Sequence, residues 1–113
     1  MKVFENDPFI NVKEAFDNIF HGLNYKIYLT SEKIEREGEK KAYGATLWPD
    51  DEDIAVIFIS TELKIMDAVE VLAHELAHVA TPKEDHSKAW EIAFEIIHIE
   101  YERICDEHEA TNA

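Results

Sequence analysis

Ile54-Ala55-Val56-Ile57-Phe58-Ile59 and, after residues 60–66, Asp67-Ala68-Val69-Glu70-Val71-Leu72-Ala73-His74-Glu75-Leu76-Ala77-His78-Val79-Ala80 are the two runs whose reading decides the fold. The first is almost wholly apolar and short, as a strand buried on both faces must be. The second spaces its apolar residues as a helix does. Asp67 and Glu70 stand three apart, the separation of a capping box, and Pro82 forbids continuation because its ring has no N–H to donate. The reading is therefore a loop over Ser60 to Met66 and a helix over Ala68 to Ala80.

Working outward, Pro49 to Asp53 is an acidic turn, and Ala42 to Trp48 before it reads as a strand. So short a connection predicts that these two strands run antiparallel, with Ile54 to Ile59 inside the sheet. Glu32 to Lys41 is a charged connection with Gly38 as its turn signal. Tyr25 to Thr30 alternates with the period of a half-buried strand. Pro8 to Phe20 carries Phe9, Val12, Phe16 and Ile19 at helical spacing, with Asp7 as N-cap and Gly22 just beyond the end. At the other end Trp90, Ala93, Phe94, Ile97, Tyr101 and Ile104 form one stripe of a helix over Ser87 to Cys105, and Asp106 to Ala113 is expected to fray. Together these predict one α+β domain over residues 1–113. It has an N-terminal helix, a small three-stranded, mainly antiparallel sheet, and two helices after it.

Composition narrows the chemistry. With 25 acidic against 11 basic residues the formal charge is -14. Affinity for nucleic acid comes largely from Lys and Arg, so the balance argues against direct contact with DNA or RNA and invites cations or a basic protein partner. Cys105 is the only cysteine. That excludes an intrachain disulfide and a thiolate-rich metal site, leaving His and carboxylates as ligands. The N-terminal residues show no signal-like apolar run and no stretch approaches the length of a membrane span, so a soluble, cytoplasmic protein is the expectation.

His74-Glu75-Leu76-Ala77-His78 is an H-E-x-x-H pattern inside a helix. Residues four apart share a helical face, so two imidazoles converge on one ion while the intervening Glu75 projects beside it as general base. A catalytic zinc takes three protein ligands and keeps one position for water. His86, just after the Thr81-to-Asp85 turn, is the favoured third ligand. Asp85 either ligates or, the preferred role, accepts a hydrogen bond from the His86 ring. Glu91, Glu95 and Glu100 on the next helix are the other eligible ligands. Tyr43, His98 and Tyr101 are the residues available to stabilise a transition-state oxyanion, although packing is the commoner role of such side chains. His21 and His108 read as surface residues, and Cys105 as a small buried hydrophobe.

The run His74 to Trp90, His-Glu-Leu-Ala-His followed by a loop and His86-Ser87-Lys88-Ala89-Trp90, resembles the SprT-like zincin metallopeptidases. The resemblance covers roughly the second half of the chain. It implies a minimal zincin-like domain with one Zn(2+) held by His74, His78 and His86, Glu75 as the catalytic base, and Trp90 as an aromatic packing the following helix. The substrate it implies is a peptide or protein, its extended backbone pairing with an edge strand. Ser87 stands where the family usually has Gly. No cysteine-rich zinc ribbon or basic surface is present, so the DNA-linked activity of some members is not implied. Two other readings stay open. One is a zinc-stabilised interaction protein without catalysis. The other is a metal-dependent ribonuclease, against which Glu75 and the net charge both argue. Imidazole ligands also suit iron, nickel or cobalt.

Overall fold

In the computed structural model, residues 8–36, 39–49, 54–82 and 86–112 are described. Pro8–Ile19 forms α1, and the chain leaves it through Gly22 at φ 79°, a left-handed turn that glycine enters without steric cost. Strand β1 (Asn24–Thr30) follows, then β2 (Ile34–Arg36), β3 (Glu39–Ala42), β4 (Gly44–Leu47) and β5 (Ile54–Ser60). Helix α2 spans Ile65–Ala80 and α3 spans Lys88–Asn112.

The α+β class is as expected. The main sheet has the order β1-β5-β4 and is mixed. The expected antiparallel pairing of β4 with β5 is joined by a parallel pairing of β1 with β5, because the chain crosses from β1 to β5 through the β2–β4 segment instead of a tight turn. β5 is thus the interior strand and β4 an edge, as the hydrophobicity of Ile54 to Ile59 predicts. On β5, Ala55, Ile57 and Ile59 are buried against the helices, while Val56 and Phe58 are half-buried on the opposite face. The helix-side core joins them to Val12 and Phe16 of α1, Leu72 and Leu76 of α2, and Ala93 and Ile97 of α3. Each Val, Ile, Leu or Phe side chain among them contributes about 1.5–3 kcal/mol by leaving water.

Four boundaries differ from expectation. The charged segment Glu32 to Lys41 is not a plain connection, because β2 and β3 pair there as an antiparallel hairpin. One apolar residue on each strand suffices: Ile34 and Ala42 are opposite each other and pack with Ala45 and half-buried Phe58 in a second small core. The expected strand over Ala42 to Trp48 is divided at Tyr43 between β3 and β4. Helix α2 begins at Ile65, with Lys64 as N-cap and no side-chain cap, so Asp67 and Glu70 form no capping box. Asp67 instead sits in the first turn, where a carboxylate is favoured by the helix dipole. Finally, α3 passes Cys105 and continues to Asn112. Ion pairs of Arg103 with Glu100 and Glu107 tie successive turns across the point where apolar residues run out. Asp7, Gly38, Asp50 to Asp53 and Asp85 lie outside the described residues, as does the His108 side chain. Among the described residues, no helix is long and apolar enough to cross a membrane.

Candidate metal centre

Helix α2 fixes two of the three imidazoles by its pitch, since His74 and His78 are one turn apart on one face. The third comes from the bend before α3. His86 has φ 45°, a left-handed backbone that few non-glycine residues adopt, histidine among the more tolerant. Ser87 then starts α3: its hydroxyl accepts the Trp90 amide N–H at 3.2 Å and its carbonyl the Glu91 N–H at 3.0 Å. Ser87 thus acts as an N-cap, and the positive φ falls on the histidine before it.

The three rings converge. His78 Nε2 lies 3.3 Å and His86 Nε2 3.2 Å from His74 Nε2, and the three ring centroids are 5.0 Å apart in every pairing. Nitrogens bound tetrahedrally at zinc distances are separated by about 3.3 Å, so the donor spacing fits one ion of that size. These are three histidines close enough to bind a metal, and among the described residues they are the cluster of ligand side chains that qualifies. Glu91, Glu95 and Glu100 do not join it; Glu91 faces Lys88 and Glu100 pairs with Arg103.

Trp90 holds the arrangement from α3. Its indole N–H donates to the His74 carbonyl at 3.3 Å, and its ring lies 4.8, 5.6 and 4.7 Å from those of His74, His78 and His86. Phe94 stacks on Trp90 with ring centroids 5.3 Å apart. An apolar wall of this kind keeps the imidazole rings oriented and limits water around them.

Glu75 is 2% exposed and lines a cleft of about 250 Å³ together with His74, Glu70, Val71, Tyr43, Gly44 and Phe94. The Thr46 hydroxyl donates to Glu75 Oε1 at 2.7 Å, and also lies 3.3 Å from the Glu75 carbonyl. A buried carboxylate needs such a donor. Gly44 lets β4 come close enough to supply it, since a Cβ there would stand 2.4 Å from Val71 Cγ1 and 3.1 Å from Glu75 Oε2. A glycine inside a strand pattern signals such close approach, so Gly44 was readable in principle. Nothing local marked Thr46, whose role exists only because β4 lies across α2.

The other candidates separate. Tyr43 lines the cleft beside Glu75. His98 lies beyond Phe94, its Nε2 2.8 Å from Glu70 Oε1 and its Nδ1 3.8 Å from Glu102 Oε1. Tyr101 is a further step along α3, its ring centroid 6.4 Å from that of His98. Its phenol is pushed up to about 12 by burial first, then by a hydrogen bond with Cys105 and by the charges of Cys105 and Glu70. His98 thus reaches Glu70, a residue of the cleft lining, while His98 and Tyr101 do not themselves line that cleft. Cys105 is half-buried and accepts from Asn11 at 3.7 Å, and His21 is exposed. Comparison of the chain with family models, with curated proteins and with solved structures found no match.

Proposed function

We propose that this protein is a zinc-dependent metallopeptidase of minimal size, hydrolysing peptide bonds with Glu75 as general base. The observation that carries the reading is the triangle of imidazole nitrogens, spaced 3.2–3.3 Å about His74, with Glu75 lining the cleft that His74 also lines. The likeness of residues 74–90 to SprT-like zincins points the same way. His74, His78 and His86 hold the ion, one per chain, and zinc supplies the Lewis acidity that makes water a nucleophile near neutral pH.

The chain's own groups do the rest. Glu75 takes the proton from the attacking water and returns it to the departing amine. Thr46 fixes the carboxylate by engaging Oε1, so the proton is received in one orientation. Edge strand β4 offers the backbone against which an extended substrate pairs, bringing its scissile carbonyl past Tyr43, which lines the cleft and is the candidate donor to an oxyanion.

Replacing Glu75 by Gln tests this. The variant is expected to keep one zinc per chain by metal analysis while cleavage of a quenched peptide library falls about 10²–10⁴-fold. Undiminished cleavage excludes Glu75 as the base. A second reading has the ion merely tie α2 to the head of α3, which His86 on the bend makes geometrically reasonable. In that case Glu75→Gln is silent because the parent shows no hydrolysis, while chelation lowers the melting temperature.

A further inference from the structure

We propose that the outer face of α3 is a docking surface for an amphipathic helix of a partner protein that carries lysine or arginine beside its apolar seam. Ile92, Ile96 and Ile99 are 47%, 39% and 61% exposed, although the same helix buries Ala93, Ile97 and Ile104 on its inner side. Their spacing of four and then three residues is that of a coiled-coil seam, and places all three on one stripe about 10 Å long. Isolated exposed apolar residues need no explanation, whereas three in helical register form a continuous patch.

The borders of the stripe state what it fits. Glu95 and Glu102 are exposed along one side, and Glu100 and Glu107 lie on the other. Arg103 occupies the next seam position and is held there by Glu100 and Glu107, so the apolar run ends in charge. Flanking charges choose partners in helix pairing. A second copy would set these acidic borders against each other, each on a chain of net charge -14. A basic-flanked helix instead meets the isoleucines with its seam and the glutamates with its cations.

The full-length protein can be titrated with three synthetic helices. The first has isoleucine and leucine at seam positions and lysine at the flanks, the second the same seam with glutamate flanks, and the third the lysine composition with its seam scrambled. The lysine-flanked seam peptide is expected to bind, and to weaken at least about tenfold against an Ile92→Gln/Ile99→Gln variant and again in high salt. Both substituted side chains are exposed, and circular dichroism will report an intact fold. Equal binding of the glutamate-flanked or the scrambled peptide overturns the proposal. So does self-association of the protein by sedimentation that the double variant abolishes, since the occupant would then be a second copy.

Discussion

Helices α2 and α3 contain the same kinds of residue, histidine and glutamate set among aliphatics, yet among the described residues only α2 gathers these into a site. On α2, His74 and His78 meet His86 of the bend, and Glu75 is buried under β4. On α3, His98 is held by Glu70 and Glu102 at the helix surface, and the glutamates of its outer face pair with Arg103 or face water. Composition does not separate the two. What separates them is that α2 is covered by strands β4 and β5 and by helices α1 and α3, with His86 brought over it, so that its polar groups are given partners in fixed directions. α3 meets the rest of the molecule along one face, where His98 reaches Glu70 and Trp90 reaches the His74 carbonyl, and Lys88–Glu91 and Arg103 with Glu100 and Glu107 pair along the helix itself.

The sharpest way to break that contrast is to remove a histidine from each region. His86→Ala is expected to weaken zinc binding by at least about a hundredfold in a competition titration with a chromogenic chelator, because even outer partners of metal ligands are worth 10–100-fold. His98→Ala is expected to leave zinc affinity within about twofold. Equal losses in both variants would mean that the triangle around His74 is not the binding site.

A smaller effect is expected at Thr46. Its hydroxyl reaches a carboxylate, and hydrogen bonds to charged groups are worth about 1.5–3 kcal/mol. Thr46→Val should therefore lower cleavage about 10–100-fold while zinc remains stoichiometric, and Thr46→Ser should restore most of it. A fall in zinc content in step with activity would show that Thr46 supports the metal ligands rather than the base.

Much of this contrast is legible in the amino-acid sequence. The spacing of His74 and His78, the stop at Pro82 and the histidine just beyond it are local features, and local features determine helices and bends. The continuous hydrophobicity of Ile54 to Ile59 likewise told its interior place. What was not legible depends on contacts between distant segments. The β2–β3 hairpin hides beneath charge because Ile34 and Ala42 are its apolar residues, one on each strand, and both are buried. Glu70 looked like a cap for its own helix and is instead engaged by His98, 28 residues away. Thr46 is one threonine in a short strand until that strand is laid over Glu75.

The mildest expected effect sits on α3 and is seen only at high pH. Tyr101 is half-buried, and its phenol is pushed up to about 12 from an ordinary 10.0, burial being the largest cause. A phenol whose folded pKa exceeds its unfolded value holds its proton more tightly when folded. Its contribution to stability is thus complete below pH 10 and is lost as pH rises from 10 towards 12. Tyr101→Phe removes that titration, so the decline of stability over this window should become shallower in urea melts at stepped pH. The slope will not vanish, because burial and the neighbouring Asp17 also raise Tyr25. Since Tyr101 lies beyond His98 on α3 and does not line the cleft, the same substitution should leave peptide cleavage near neutral pH unchanged within about twofold. A large loss of cleavage would bring Tyr101 into the cleft chemistry, and the division between the two helices would fail at its far end.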